Sequence, residues 1–272
     1  MHVFISVDIE GITDVTWWWD EKEKGREEVA CRRMTAEANA AVEGALAAGA
    51  RKITVADSHG SMRNILPELL HPAATLVRGQ SRPLGMMQGV DRKVDAAMLI
   101  GYHAMAGTKN ATLAHTYTGQ VHRLWVNGVE VGEIGFNARV AGRFGVPVVL
   151  LSGDAAACRE AERAIPGITT VQVKDAMGYI NAANDHPETA QAKIRKAATA
   201  ALGNLKAVKP LTLKGAPRVR VELRTVQQAD LAALAPGISR LDGYTVEYKA
   251  QDMAEAHKTL RAIFTLARAA KW

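Results

Sequence analysis

The N-terminal part of the chain carries the pattern of a strand, a long helix and a second strand. His2–Asp8 and Lys52–Ala56 are short apolar runs rich in β-branched residues. Between them, Gly25–Ala48 is followed by Gly49 and carries apolar residues mostly four positions apart, which are Val29, Met34, Ala38, Val42 and Leu46. This pattern is typical of an amphipathic helix with a glycine cap. Two parallel strands joined by a crossover helix form a right-handed unit. The chain is therefore expected to build a mostly parallel sheet.

Later segments continue this pattern. A hairpin is predicted where Asn127-Gly128, a pair preferred in type I′ turns, separates two alternating runs. Further strands are expected at residues 94–100, 146–151, 169–173 and 218–223, and further helices at 135–145, 154–164, 188–205 and 252–270. The predicted class is α/β, with a mostly parallel sheet flanked by helices and a smaller C-terminal α/β unit.

A change in composition after Pro187 suggests how the chain is organised. Residues 188–205 are rich in alanine and basic residues, and 210–217 resemble a linker bounded by prolines. We predict a larger unit at residues 1–209 that holds every candidate site residue, and a smaller one at 210–272. The second unit is either a separate domain or the second half of one fold.

Composition narrows the possible functions. Two cysteines in 272 residues are too few for a disulfide framework, and neither an export signal nor a long apolar segment is evident, so a cytoplasmic protein without a membrane partner is expected. A net charge of +6 suggests a polyanion. However, residues 1–190 hold 19 basic and 22 acidic residues, whereas 191–272 hold 15 and 6. Without a nucleic-acid-binding motif, and with 5% aromatic residues, we expect no nucleic-acid partner.

Side chains that bind metals follow several predicted strands. Asp8 and Glu10 stand at the carboxyl end of the first strand, His59 follows the second, and His103 follows the run at 94–100. Glu133 lies between two glycines. The alternative is ordinary capping carboxylates and hydrogen-bonded histidines, but five of the eight histidines fall between His59 and His122.

This mixed set of imidazoles and carboxylates suits zinc and related divalent ions. Five ligands exceed what one catalytic zinc normally takes, since it keeps a position open for water. Two metals that share a carboxylate would use all five. The candidate metal ligands are Asp8, Glu10, His59, His103 and Glu133.

Six short motifs in this order resemble the D-aminopeptidases of the DppA type, peptidase family M55. They are residues 6–11, Asp57-Ser58-His59, Gly101-Tyr102-His103, Ala114-His115, residues 131–137 and residues 148–154. Each motif is short, but the resemblance extends over nearly the whole chain. It includes Val173-Lys174 and the run at residues 249–253.

The resemblance implies a two-zinc aminopeptidase acting on short peptides with N-terminal D-residues, especially D-alanine. It implies that Asp8 bridges both metals, that Glu10 and His59 bind one zinc, and that His103 and Glu133 bind the other. His115 matches the catalytic histidine, which would stabilise an oxyanion or protonate the leaving amine. The family's ring-shaped assembly of stacked pentamers further implies a homo-oligomer, possibly a decamer.

Other readings remain open at this point. The same ligands could serve a two-metal hydrolase of an L-peptide, an amide or a phosphoester, or the chain could be a ring-forming assembly protein without catalysis. Trp17-Trp18-Trp19 stands in a variable loop, where it could form an oligomer contact, a lid or ordinary local packing. His122 is expected to be a surface histidine of the hairpin, and Cys31 and Cys158 to be buried small hydrophobic residues.

Overall fold

A computed structural model describes residues 1–17 and 25–270 and contains two sheets. In chain order, its strands are β1 (His2–Val7), β2 (Lys52–Asp57), β3 (Ala74–Val77), β4 (Ala96–Tyr102), β5 (Val121–Val126), β6 (Val129–Glu130), β7 (Val148–Asp154), β8 (Thr169–Gly178), β9 (Asn181–Asn184), β10 (Arg218–Leu223), β11 (Ile238–Arg240) and β12 (Thr245–Lys249). The helices are α1 (Arg26–Ala47), α2 (Glu133–Arg143), α3 (Ala155–Ala164), α4 (Pro187–Gly203), α5 (Val226–Ala232) and α6 (Met253–Ala267).

The larger sheet has the strand order β3-β2-β1-β4-β7-β8-β9. Its strands run parallel up to β8, and β9 returns antiparallel at the edge. The central strands β1, β4 and β7 are buried along their whole length, which explains their continuous apolar sequences. The predicted α/β class with a mostly parallel sheet and flanking helices is confirmed.

The crossover helix α1 does not bury all of the apolar residues that the sequence predicted it would bury. Met34, Ala38 and Val42 are buried as expected, but Val29 and Leu46 lie on the exposed side, with 48% and 36% of their surface accessible. Alanines supply four of the eight remaining buried positions. Small side chains let the helix lie close to its neighbours: a Cβ on Gly44 would stand 2.5 Å from the Arg195 carbonyl oxygen of α4.

The smaller sheet is antiparallel, with the order β11-β12-β10-β5-β6. The predicted hairpin forms its edge, with Asn127 and Gly128 both at positive φ (50° and 81°) as a type I′ turn requires. The C-terminal strand β10 pairs directly with β5. The division at residues 209/210 stays a prediction, and the sheet of the C-terminal segment includes residues 121–130.

Gly11 marks the closest approach between the segment after β1 and the end of β4. Its amide donates to the Gly101 carbonyl at 2.8 Å, and a Cβ at this position would collide with the Tyr102 carbonyl oxygen. We predict that Gly11→Ala lowers the free energy of unfolding by about 1–3 kcal/mol. Gly203→Ala at the end of α4 is the control, because no atom lies within 4 Å of its Cβ position. Urea denaturation should separate the two variants, and equal stabilities would contradict the prediction.

Among the described residues, none of the helices combines the length and apolar character needed to cross a membrane.

Candidate metal centre

The topology brings three of the segments with predicted ligands to one edge of the larger sheet. Asp8 and Glu10 follow β1, His59 follows β2 and His103 follows β4. These three strands are adjacent and parallel, with β1 in the middle. The chain order reverses between β1 and β4, and open α/β sheets bind ligands at such a switch point.

The remaining two residues reach this edge from outside the larger sheet. Glu133 is the first residue of α2, and the Tyr117 amide donates to its Oε1 at 2.6 Å. His115 lies in the connection between β4 and β5. The structure therefore brings all six predicted site residues together.

Two groups of potential ligands share the Asp8 carboxylate. In the first, His59 Nδ1 lies 3.0 Å from Glu10 Oε2 and 3.4 Å from Asp8 Oδ1. In the second, His103 Nε2 lies 3.2 Å from Glu133 Oε1 and 3.6 Å from Asp8 Oδ2. Within each group the potential ligand atoms are within 4.8 Å of one another. Asp8 thus presents one oxygen to each group, as a bridging carboxylate would.

His115 stands beside these groups. Its ring stacks on that of His103 with centroids 4.1 Å apart, and its Nε2 lies 3.8 Å from both Glu10 Oε1 and Glu133 Oε1. Glu10, His103 and His115 also satisfy the spacing of a metal-binding group. The geometry is therefore compatible with His115 as a catalytic residue or as an additional ligand.

The hydrogen bonds of His103 test whether this cluster suits a cation. His103 Nδ1 lies 3.0 Å from the Ala104 carbonyl oxygen, which can only accept, so Nδ1 carries a proton. Its Nε2 is buried and is not aligned for a hydrogen bond with any described residue, although it lies 3.2 Å from Glu133 Oε1. Without a cation, the carboxylates favour a proton on Nε2; in the neutral ring, Nε2 would direct a lone pair toward them, an arrangement that a metal ion between them would stabilise.

Charge in the cluster leads to the same conclusion. Burial and the neighbouring charge of Glu10 raise the pKa of Asp8 well above its usual range. Burial works to lower the pKa of His103, but the charges of Glu133, Glu10 and Asp8 outweigh it and hold the pKa well above the usual value. For Glu10, burial is outweighed by the charge of His59, which lowers the pKa. Three buried carboxylates thus attract protons onto the histidines, and divalent cations would replace those protons.

Lys174 fixes the segment that carries Glu10. Its ammonium group is buried and donates to three backbone carbonyls, those of Glu10, Ile12 and Val15, at 2.5, 3.0 and 2.5 Å. Burial lowers the pKa of Lys174 to about 8. A single lysine between Val173 and Asp175 gave no indication of this role, which depends on the contact between β8 and the segment after β1.

We predict that Lys174→Met destabilises the protein by about 2–4 kcal/mol, because it leaves three inward carbonyls without a donor. Lys193→Met is the matched control, since Lys193 is half exposed in a surface pair with Asp185 and should change stability by less than about 1 kcal/mol. Chemical denaturation of the metal-free proteins measures both. Similar losses in the two variants would contradict the assigned role.

A buried hydrogen-bond network supports the carboxyl ends of the strands. Ser6 Oγ lies 2.7 Å from both Ser58 Oγ and Tyr102 Oη. Asn137 Nδ2 donates to Tyr102 Oη, and the Tyr117 hydroxyl donates to Asn137 Oδ1 at 2.9 Å. The sequence showed Ser6, Ser58, Tyr102 and Asn137 only as members of motifs and did not single out Tyr117, because their pairing links positions up to 96 residues apart.

The segment after β2 is organised by Asp57. Its carboxylate accepts from the amides of Asn64 and Ile65 at 2.5 and 2.7 Å. Asn64 Nδ2 in turn donates to the His59 carbonyl at 2.7 Å. These bonds hold the turn that presents the His59 ring to Glu10.

The cluster opens into a cavity of about 520 Å³. Asp8, Glu10, His59, His115 and Glu133 line it together with residues of α6. This volume lies within the range of small-molecule sites. The cavity therefore suits a short peptide rather than a folded protein.

The other residues singled out in the sequence are not part of the metal-ligand cluster. Trp17 is stacked beneath the Arg26 guanidinium at 4.7 Å, and Trp18 and Trp19 lie outside the described residues. His122 is exposed on the hairpin and pairs with Glu222 at 2.7 Å, as expected for a surface histidine. Cys31 and Cys158 are buried free thiols, and burial raises their pKa values to about 11 and about 12.

Comparisons with known proteins identify the family. The family model described as Peptidase_M55, D-aminopeptidase, matches residues 1–262. A D-aminopeptidase of Bacillus subtilis (strain 168) is 36% identical over 274 residues, which covers 98% of each chain. A solved structure that superposes on this chain is the "Zn-dependent D-aminopeptidase DppA from Bacillus subtilis, a self-compartmentalizing protease". The superposition has a TM-score of 0.95 at 34% sequence identity and covers 100% of each chain. The chain therefore belongs to the M55 family of D-aminopeptidases.

Proposed function

We propose that this chain is a zinc aminopeptidase that hydrolyses short peptides with an N-terminal D-residue, using two zinc ions per subunit. The observation that carries the proposal is the position of Asp8, whose two oxygens face two separate groups of potential ligands. Family membership and the zinc dependence of the related DppA support the reaction and the metal.

In this proposal, Glu10 and His59 hold one ion, His103 and Glu133 hold the other, and Asp8 bridges them. One divalent cation would leave a charge of −1 on three buried carboxylates and two would leave +1, so it is the two separate groups of potential ligands that favour two ions. Bound zinc would supply a Lewis acid for the scissile carbonyl and lower the pKa of a water molecule.

His115 is proposed to move a proton at its Nε2. Its Nδ1 lies 2.9 Å from the Leu113 carbonyl oxygen, so Nδ1 carries a proton and Nε2 of the neutral ring is an acceptor. This tautomer favours a general base that takes a proton from the attacking water and passes it to the leaving amine. Stabilising an oxyanion would instead require a donor at Nε2.

We further propose that the chain forms a homo-oligomer, a decameric ring. The self-compartmentalizing assembly described for DppA supports this. Restricted access to an inner chamber would exclude folded proteins from the site. Sedimentation of the purified protein tests the assembly, and the cytoplasmic location stays a prediction.

Metal analysis combined with a hydrolysis screen tests the proposed function. We expect close to two zinc ions per chain and faster hydrolysis of D-alanyl-D-alanine and D-alaninamide than of their L-counterparts or a phosphodiester. Chelation should abolish the activity, and zinc should restore it. Protein that stays inactive on both D-substrates after zinc loading would refute the proposal, and faster phosphodiester or L-peptide hydrolysis would assign a different substrate.

A further inference from the structure

One face of α6 forms part of the wall of the cavity that contains the metal-centre residues. The residues of this face recur at helical spacing and comprise His257, Leu260, Arg261, Phe264 and Thr265, followed by Arg268, which caps the helix at its C-terminus. Two of them are arginines seven residues apart, so they lie on the same side of the helix. The cavity is therefore acidic at the metal centre and basic along α6.

His257 is a buried polar side chain without a well-aligned hydrogen-bond partner within the described part of the chain. Only 2% of its surface is accessible, and the Pro83 carbonyl is the neighbouring backbone acceptor, but neither ring nitrogen makes a well-aligned hydrogen bond there. The ring packs edge-on to Tyr117 with centroids 6.1 Å apart and also contacts Phe136. Buried polar groups are rarely left without a partner. Because His257 lines the cavity, a ligand in the cavity can supply that partner.

Arg261 stands next to His257 and is also unpaired. Its side chain makes no hydrogen bond or ion pair with any residue that the structure describes, although it is only partly exposed. A Cβ on Gly85 would stand 2.5 Å from the His257 ring and 3.3 Å from Arg261 Nη1. Gly85, at φ +49°, therefore leaves room for both groups at the cavity wall.

Tyr117 connects these groups to the metal centre. Its amide donates to Glu133, and its ring contacts His257. Tyr117 thus contacts both Glu133 at the metal centre and His257 on α6. An extended dipeptide or tripeptide spans roughly 7–11 Å, so a peptide of two or three residues is long enough to extend from the metal centre into the cavity.

We propose that Arg261, assisted by His257, binds the C-terminal carboxylate of the short peptide substrate and thereby selects peptides that end within the cavity. This proposal rests on the proposed aminopeptidase function. A carboxylate taken into a partly buried site needs an opposite charge. The planar guanidinium matches its two oxygens, and Arg268 adds positive charge on the same face.

Binding and hydrolysis test this subsite separately. N-Acetyl-D-alanyl-D-alanine and its C-terminal amide both lack the amine required by an aminopeptidase, so calorimetry can measure their binding to the zinc-loaded protein without turnover. We expect the acid to bind roughly 10- to 100-fold more tightly than the amide. Arg261→Gln should reduce this ratio to within about threefold, and Arg261→Lys should retain part of it because it keeps the charge.

Lys258→Gln is the matched control, because Lys258 lies on α6 but is exposed and does not line the cavity. It should leave the acid-to-amide ratio unchanged. With D-alanyl-D-alanine as substrate, Arg261→Gln should raise KM while changing kcat little. Equal binding of acid and amide to the wild-type protein, or an unchanged ratio in Arg261→Gln, would overturn the subsite. Absence of hydrolysis by wild-type protein would instead refute the proposed function, and the binding ratio would still decide the subsite.

Discussion

Replacing Asp8 by asparagine should remove most of the bound metal and lower kcat/KM by roughly 10³-fold or more. Asp8 is the residue common to the two proposed metal positions, with Oδ1 toward His59 and Oδ2 toward His103. Asparagine keeps the volume but replaces one oxygen with an amide nitrogen that cannot bind a cation. Loss of Lewis-acid stabilisation worth several kcal/mol corresponds to this change in rate.

The distribution of metal among variants makes this prediction specific. Elemental analysis should find less than one zinc per chain in Asp8→Asn. Glu133→Gln alters only the group formed by Asp8, His103 and Glu133, so this variant should retain about one zinc per chain. Asp14→Asn is the control, since Asp14 is half exposed and pairs with Arg33 on the surface. An Asp8→Asn protein with two zinc ions and wild-type activity would rule out the bridging role.

The location of the site could be predicted from the sequence because the parallel sheet imposes it. Residues that directly follow β1, β2 and β4 must meet at one edge once these strands are adjacent. Asp8, His59 and His103 satisfied that condition from their position after apolar runs alone. Glu133 was predicted with less support, because its approach depends on how α2 packs against the sheet.

The supporting residues could not be predicted in the same way. The ammonium group of Lys174 donates to the carbonyl of Glu10, a residue 164 positions earlier in the sequence. No local sequence pattern predicts a contact between residues so far apart in the chain. The same applies to α6, whose amphipathic spacing predicts a helix but does not indicate which element it faces. His257 belongs to none of the predicted site motifs, and its position in the cavity wall became evident only from the tertiary packing.

The positions of the basic residues in the structure change the interpretation of the net charge. The net charge of +6 suggested a polyanionic partner when it was considered as a total, but the basic excess lies within residues 191–272. In the structure, some of this charge lies in the cavity, as Arg261 and Arg268. A positive group near an acidic metal centre suits a zwitterionic short peptide, whose amine and carboxylate lie at opposite ends. Several other basic residues form surface pairs, such as Arg218 and Arg220 with Glu247.

His115→Ala should lower kcat by roughly 10²- to 10⁴-fold while leaving the zinc content unchanged. The substitution removes the proposed proton carrier at Nε2 but none of the five proposed metal ligands. KM should change little, because the imidazole acts on the reacting groups rather than on the ends of the peptide. Steady-state kinetics with D-alanyl-D-alanine and elemental analysis of the same preparation provide both measurements.

The third group of potential ligands, Glu10, His103 and His115, raises the alternative that His115 binds a metal ion. Two comparisons distinguish this alternative from proton transfer. If His115 were a required ligand, His115→Ala would lose zinc together with activity. His122→Ala serves as the control, because this exposed histidine pairs with Glu222 on the hairpin and should leave both quantities unchanged. Added imidazole should partly restore turnover in His115→Ala, since a small base can enter the vacated space. Unchanged turnover in the variant would exclude proton transfer by His115.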